Sequence, residues 1–193
     1  MGIFINSSDL ANIKVLAEQG DADAQYALAY VLSCSAVTDE DCDLVKFWFR
    51  KAAMQGHPKG LWRVGHEYDV ADPEQAAIWY RKSAEAGCAI AQWWLGVKYQ
   101  RGEGVGQDNE QALYWHQKAA EQNDASACYA LGKMYEAGEG VEQNWQQAAS
   151  WYERAAYGYC GESHDKSSYL DDAHAFLKPG TYRLPLPDKA NLD

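Results

Sequence analysis

The sequence predicts an all-α protein in which antiparallel helix pairs stack into an α-solenoid. Tryptophans, alanine pairs and a Gly-Glu-Gly-Val loop all recur at a spacing of 36 residues. Examples are Trp115 and Trp151, and the two loops at 102–105 and 138–141. Internal repeats of this length are typical of solenoids, because no single unit can bury its apolar face without its neighbours.

The repeating frame begins with an isolated helix. Residues 8–18 align with the second helix of a unit and predict an N-terminal half-repeat that caps the array. Asn12 stands there in place of the recurring Trp, since an outer helix has no neighbour on which that ring could pack. Four full units are predicted to follow over about residues 23–158.

The second unit is predicted to be shorter than the others. Trp48 and Trp79 are 31 residues apart instead of 36, and the five missing residues fall between Tyr68 and Ala76. This unit has therefore lost the glycine loop that joins the two helices of the third and fourth units.

Each unit is predicted to form two helices, because apolar residues recur at spacings of three and four. In the third unit Ala112, Trp115 and Ala119 form such a stripe. We expect the alanines to bring neighbouring helices close together and the Trp to fill the space that remains. If the ring of Trp115 is fully buried, its replacement by alanine would cost about 3–5 kcal/mol.

Capping residues and glycines mark the predicted helix ends. Three polar residues are expected to cap the second helices: Asp72, Asp108 and Asn144. Gln111 and Gln147 follow two of these caps at capping-box spacing, and Pro73 stands at a first helical position. Helices are also predicted to end just before three glycines: Gly20, Gly56 and Gly87.

The solenoid is expected to occupy residues 1–160, and residues 161–193 form a separate C-terminal segment. A capping helix is predicted at about 165–177, and Pro179-Gly180 would end it. The prolines that follow favour an extended chain. This tail either packs back along the solenoid or forms a mobile end.

The charge of the chain bears on the class of its partner. The formal net charge is −11, and nucleic acids and anionic membranes both require a basic surface. We therefore expect neither as a partner. An acidic field would attract a basic protein or peptide, although the same charge also serves solubility alone.

The five cysteines and the N-terminus indicate a cytoplasmic location. The cysteines are odd in number and lack metal-ligand spacing, which favours reduced thiols, with Cys34 and Cys42 as the only pair close in sequence. The first residues lack the basic and apolar regions of a signal peptide. No apolar stretch approaches the roughly 20 residues of a membrane span.

The third unit carries the most regular form of the repeat. It reads Ala91-Gln-Trp-Trp-Leu-Gly96, Tyr99, Gly102-Glu-Gly-Val105, Asp108 and Ala112-Leu-Tyr-Trp115-His-Gln-Lys-Ala-Ala120. This pattern resembles the Sel1-like repeat, a relative of the tetratricopeptide repeat, over about 70% of the chain. The resemblance implies a right-handed superhelix that serves other proteins as an adaptor or scaffold, often in bacteria. In the first unit Ser35-Ala-Val-Thr38 stands where the glycine loop belongs, so the match is weaker there.

In a solenoid of this type the first helices of the units line the concave face. Aligned positions on those helices give an aromatic stripe bordered by polar side chains, which suits a groove for a peptide or loop. The predicted partner-binding residues are Tyr26, Tyr30, Trp62, His66, Trp93, Gln100, Tyr129, Lys133 and Glu136. An aromatic residue before Leu-Gly also belongs to the repeat itself, so packing is an alternative role for the stripe.

Catalytic and metal-binding patterns are not evident. No two of the five histidines have helical ligand spacing, and His116 aligns with a tyrosine column, which indicates packing. The glycine loops lack the Lys-Ser/Thr of a phosphate-binding loop, and no cysteine has an evident base. Relatives of the repeat associated with penicillin binding resemble it through regular cysteine pairs, which are missing here. We therefore expect no enzymatic activity, no metal and no cofactor.

Three function classes fit this reading. The first is an adaptor that binds a partner protein or peptide in the concave groove. The second is a cytoplasmic immunity protein that neutralises a secreted toxin, since small acidic chains of this repeat type resemble such proteins. The third is a structural or regulatory assembly factor. The sequence leaves the partner and the oligomeric state open.

Overall fold

The structure is a computed structural model that describes residues 7–34 and 37–158. Within these ranges the chain forms nine α-helices and no strand. The helices are α1 Ser7–Glu18, α2 Ala22–Ser33, α3 Asp39–Met54, α4 Pro58–Tyr68, α5 Pro73–Glu85, α6 Ala89–Arg101, α7 Asn109–Glu121, α8 Ala125–Ala137 and α9 Trp145–Gly158. The helix and tail predicted beyond residue 160 lie outside the described residues.

Consecutive helices pack against one another along the whole array. Four pairs form the repeating units, which we number 1 to 4: α2–α3, α4–α5, α6–α7 and α8–α9. Helix α1 packs on α2 as a single helix before the first pair. The all-α repeat fold predicted from the sequence is thus confirmed.

The predicted helix caps are present. The side chains of Asp72, Asp108 and Asn144 each accept a hydrogen bond from a backbone N–H in the first turn of the helix that follows. The reciprocal capping box, by contrast, is formed by Thr38 and Asp41 at α3. Each cap gives a hydrogen-bond acceptor to a backbone N–H group that has no partner within its own helix.

The shortened unit 2 keeps the same closure between its helices. The backbone N–H of Asp72 donates to the carbonyl of Tyr68 at 2.8 Å, and that of Asp108 donates to Tyr99 at 3.0 Å. The first of these turns spans five fewer residues than the second. The same backbone hydrogen bond therefore closes the connection between the two helices, with or without the five loop residues.

The interior combines small residues with one large ring in each unit. Alanines of facing helices are almost completely buried. Between them lie the rings of Phe49, Tyr80, His116 and Tyr152, all buried. Tyr80, His116 and Tyr152 lie directly over Gly65, Gly96 and Gly132, where a Cβ atom would overlap each ring. The glycines of Val64-Gly65, Leu95-Gly96 and Leu131-Gly132 are thus required by the rings packed on them.

The tryptophan column has a different position from the one predicted. Trp48, Trp79, Trp115 and Trp151 are only partly buried, and the fully buried ring is the next residue along each helix. The difference arises because one residue turns the side-chain direction by about 100° on a helix.

The half-buried position of Trp115 lowers the expected effect of removing its ring. We expect Trp115→Ala to reduce the free energy of unfolding by about 2 kcal/mol, below the 3–5 kcal/mol typical of a fully buried ring. Urea denaturation followed by circular dichroism measures this value. Tyr152→Ala, which removes a fully buried ring, is the comparison, and a larger loss for Trp115→Ala would contradict the burial described.

Two buried glutamines join helices by hydrogen bonds. Gln25 on α2 donates to the carbonyl of Ala17 at 3.1 Å and accepts from Gln55 at 2.8 Å. In unit 3, Gln92 donates to the carbonyl of Ala84 at 3.0 Å, and its own carbonyl accepts from Gln122 at 2.8 Å. Each glutamine therefore links the helix before its unit to the end of its own second helix.

Candidate protein-binding face

All nine predicted partner-binding residues lie on the first helices of the four units. We call the surface formed by α2, α4, α6 and α8 the first-helix face. Tyr30, His66 and Lys133 are exposed there, and the other predicted residues are partly buried. Tyr30 has the largest exposed apolar surface among them, at 44%. Their role in binding remains a prediction. The contacts that each side chain makes show which of these residues pack against the interior and which are accessible.

The aromatic stripe packs across the boundaries between units. Tyr26 stacks on the ring of His57 at the start of α4, with ring centroids 4.5 Å apart. Trp62 packs against a buried cluster shared by units 2 and 3, and Trp93 packs against one shared by units 3 and 4. These three rings therefore stabilise the stacking of units, and only their remaining exposed edges are accessible to a partner.

His57, the N-cap residue directly before α4, was not identified as important from the sequence. Its Nδ1 atom accepts a hydrogen bond from the backbone N–H of Gly60 at 3.0 Å and so caps the helix. Burial lowers the pKa of His57, in opposition to Asp23, whose carboxylate lies 3.4 Å from Nε2. His57 is thus a structural cap that also supports Tyr26.

Gln100 and Glu136 hold buried rings of the second helices. The side-chain carbonyl of Gln100 lies 3.1 Å from Nε2 of His116, and the carboxylate of Glu136 accepts a hydrogen bond from the hydroxyl of Tyr152. The two residues occupy the same position in successive units. Their polar groups are therefore engaged in packing the interior, which reduces what they can offer a partner.

In unit 2 the equivalent position belongs to Asp69, beside the buried ring of Tyr80. Burial and the nearby Asp69 carboxylate raise the pKa of the Tyr80 hydroxyl. Asp69 also forms an ion pair with Lys98 of unit 3, with 2.7 Å between Oδ1 and Nζ. This ion pair connects the first helices of units 2 and 3 directly.

Lys98 is a buried lysine that sequence reasoning missed. Its side chain is 3% exposed, and its ammonium also contacts Glu103 of the glycine loop at 3.0 Å. Burial alone would lower the pKa of Lys98, but the hydrogen bonds to the two carboxylates raise it. The lysine is therefore charged, and it holds the loop of unit 3 against unit 2. Its alignment with Met134 in unit 4 gave no sign of this role.

A cavity of about 340 Å³ opens between units 1 and 2. Side chains from α2, α3 and α4 surround it: Ser33, Cys42, Val45, Lys46, Phe49, Arg63, His66 and Glu67. Only His66 among them was predicted as a binding residue. We call this space the α3–α4 cavity. Its volume is in the lower part of the range for ligand pockets.

The described residues give little sign of other kinds of site. Within 7–34 and 37–158, no three or more His, Cys, Asp or Glu side chains are grouped so as to hold a metal ion. None of the described helices is both long enough and apolar enough to cross a bilayer. Cys34 and Cys42 are exposed free thiols, whereas Cys88 and Cys128 are buried ones.

These features define an all-α repeat solenoid with a face of first helices. The Sel1 repeat family model matches four consecutive segments, at residues 22–57, 58–88, 89–124 and 125–159. The chain therefore belongs to the Sel1 repeat family, whose repeats mediate interactions between proteins. The short segment 58–88 is unit 2, in which the loop between the two helices is five residues shorter.

Solved structures with the same fold include a protective antigen of uropathogenic Escherichia coli, at 35% identity and a TM-score of 0.70. That match covers 79% of this chain and 33% of the other. A Sel1 repeat protein from Oxalobacter formigenes matches at 29% identity and a TM-score of 0.70, over 78% of this chain and 63% of the other. The present chain thus spans about one third of the length of the first relative and under two thirds of the length of the second.

More distant matches share the fold alone. An immunity protein from Pseudomonas aeruginosa is 20% identical with a TM-score of 0.56, and the match covers 88% of this chain and 71% of the other. The comparison with curated proteins finds no match.

Proposed function

We propose that this chain is a non-enzymatic scaffold that binds a segment of a partner protein along its first-helix face. The observation that carries the proposal is the exposure of Tyr30, His66 and Lys133 on three of the four first helices. Gln100 and Glu136, by contrast, are engaged in packing the interior. Tyr30, His66 and Lys133 present part of their surface to solvent, where it is accessible to a partner segment.

The combination of groups suits recognition of a protein segment. An exposed tyrosine ring offers contact area at a low cost in conformational entropy. Lys133 and His66 add hydrogen-bond donors that fix the register of a bound chain. Lys133 also contacts Glu136 at 3.2 Å and the rings of Tyr129 and Tyr152, so its ammonium is held in place before binding.

The test compares binding by a first-helix variant and a matched variant on a second helix. We expect Tyr30→Ala combined with His66→Ala to weaken binding of a stoichiometric partner at least about tenfold, the effect of losing about 1.4 kcal/mol. The partner is first identified by affinity capture with the wild-type chain from a lysate of the producing cells. Its dissociation constant is then measured with purified proteins by calorimetry.

Tyr114→Ala is the control for this experiment. Tyr114 lies on α7, a second helix, and its exposure of 47% is close to the 44% of Tyr30. Unchanged circular dichroism spectra are required of both variants. If the Tyr114 variant loses the partner and the first-helix variant keeps it, the binding surface lies on the second helices and the proposal is wrong.

Neutralisation of a toxin is a second candidate within the same class of function. Two structures named as Pseudomonas aeruginosa immunity proteins match 88% and 90% of this chain at 20% and 19% identity. The net charge of −11 would favour a basic toxin. The activity of the captured partner, with and without this chain, separates neutralisation from an adaptor or assembly role.

A further inference from the structure

The glycine loops of units 3 and 4 each fill a space beside the preceding unit. Gly104 lies so close to the start of α5 that a Cβ atom there would overlap the carbonyl of Pro73. Gly140 in unit 4 has the same relation to Asn109 at the start of α7. Each loop therefore covers the N-terminal end of the second helix in the unit before it.

Unit 2 has no such loop to pack beside α3 of unit 1, which begins one turn earlier in the repeating frame than α5 does. In the repeating frame Cys42 is equivalent to Pro73, the residue that the loop of unit 3 covers. Cys42 lines the α3–α4 cavity. The cavity therefore lies where the missing loop would have packed.

The side chains that fill the equivalent space between units 2 and 3 are different here. Between those units Trp94 stacks on Tyr80 with ring centroids 6.0 Å apart, and Lys98 is bound to Glu103 of the loop. At the α3–α4 cavity the residue equivalent to Trp94 is Arg63, and Lys46 replaces the equivalent alanine, Ala77. Cationic groups thus stand at two positions where apolar ones fill the next junction, and Glu67 stands at the position of Lys98.

Arg63 is held rigidly at the cavity wall. Its guanidinium lies 5.0 Å from the ring centroid of Phe49 and 4.9 Å from that of Trp62. The Nε atom of Arg63 is buried and has no hydrogen-bond partner among the described residues. Stacking between the rings restricts the side chain, and the guanidinium also donates a hydrogen bond to the hydroxyl of Tyr26. Planar guanidinium donors are suited to a carboxylate.

The acidic groups nearby are already neutralised or project into solvent. Glu67, the one carboxylate that lines the cavity, forms an ion pair with Arg50 at 2.7 Å. Asp43 contacts Lys46 at 3.5 Å, but its side chain is largely exposed and the pair is screened by water. The cavity is therefore locally cationic on a chain whose formal net charge is −11.

We propose that the α3–α4 cavity binds an acidic side chain of the partner segment, in the place of the loop that unit 2 lacks. The inference rests on the proposed scaffold function and assigns one contact within it. Arg63 and Lys46 receive the carboxylate, whereas in the next unit Lys98, at the position that Glu67 holds here, receives Glu103. Val45 and Phe49 pack against the apolar part of the same segment.

The probe is the loop sequence itself, supplied as a separate peptide. Acetyl-Gly-Glu-Gly-Val-Gly-amide reproduces residues 102–106, and the Gln analogue of the same length is its matched control. Titration of the full ¹⁵N-labelled chain by NMR is expected to shift the amide signals of residues 42–49 and 63–67. The Gln peptide is expected to bind about fivefold more weakly, because a charged acceptor strengthens each hydrogen bond by about 1 kcal/mol.

Two variants of the chain test the assignment to Lys46 and Arg63. Lys46→Gln changes a half-exposed side chain and is expected to weaken the Glu peptide about threefold or more, without altering the fold. Arg63→Gln is expected to weaken it further. Lys118→Gln, which alters an exposed lysine on α7 that is also paired with a nearby acid, is the control.

The outcomes separate this inference from the proposed function. Equal binding of the Glu and Gln peptides, or binding only by a peptide with a free C-terminal carboxylate, overturns the inference. Concentration-dependent dimers that the Glu peptide dissociates would assign the cavity to a second copy of this chain and also overturn it. If the natural partner is lost by the Tyr30/His66 variant but kept by Lys46→Gln and Arg63→Gln, the scaffold function stands and the cavity contact fails.

Discussion

Gly104→Ala is expected to lower the free energy of unfolding by about 3 kcal/mol. Two physical effects add at this residue. Its φ of 73° is left-handed, which costs a residue with a side chain about 1–2 kcal/mol. The added methyl group would also overlap the backbone carbonyl of Pro73, so the loop of unit 3 must move away from unit 2, at a cost of about 1–3 kcal/mol.

Two neighbouring glycines are controls for which a smaller loss of stability is expected. Gly102 has a φ of 68° but only ordinary to tight contacts with Gln107, so Gly102→Ala isolates the backbone effect. Gly106 faces open space and has no left-handed φ, so Gly106→Ala is expected to change stability by less than about 0.5 kcal/mol. Urea denaturation at pH 7.5 gives the three values. Equal losses at Gly104 and Gly102 would show that contact between the units contributes nothing.

Acidification is expected to destabilise the protein through His116. Burial lowers the pKa of His116 to about 4, from an ordinary value near 6.5. The unfolded chain therefore binds a proton at higher pH than the folded chain does. Its contribution to stability is complete above about pH 6.5 and is lost as the pH falls toward 4, by about 1.4 kcal/mol per pH unit and about 3 kcal/mol in all.

His116→Tyr tests this expectation, because Tyr80 and Tyr152 occupy the same place over Gly65 and Gly132 in other units. The ring of His116 faces Gln100 and Gly96, and no charged group contributes to its pKa shift. Denaturation at pH 7.5, 6.0 and 5.0 is measured for both proteins. Between the first and last pH the wild-type chain is expected to lose about 2 kcal/mol more than the variant. Parallel losses would mean that His116 is protonated without cost in the folded chain.

Much of the fold could be predicted from the sequence because repetition averages out local ambiguity. A single Trp at position 115 says little, but its recurrence at position 151 fixes the helical frame. The caps at Asp72, Asp108 and Asn144 were predictable for a local reason, since an N-cap acts on the turn directly after it.

The rotation of each helix about its axis could not be predicted to within one residue. Trp115 and His116 are adjacent, and the direction in which helices pack decides which of the two rings is buried. That choice depends on neighbours from other units. The prediction that His116 is a packing residue came from its alignment with Tyr80 and Tyr152, and its full burial agrees with it.

The candidate site was less predictable than the fold. Aligned columns placed the nine residues on the first helices but did not distinguish Gln100 and Glu136, which hold buried rings, from the accessible Tyr30. The buried Lys98 and the α3–α4 cavity depend on contacts between units. The five-residue deletion was visible in the sequence, whereas the space that it leaves required knowledge of where the loops of the other units pack.

The spacing of the buried glutamines bears on how such an array could be lengthened by design. Gln25 and Gln92 lie 67 positions apart, which is the length of one short and one full unit together. Leu61 and Cys128 hold the same position in the units between and after them. Units with a buried glutamine therefore alternate with units that lack one, and the alternation repeats every 67 residues. An engineered extension by a two-unit block would keep this alternation, whereas a single duplicated unit would place two units of the same kind next to each other.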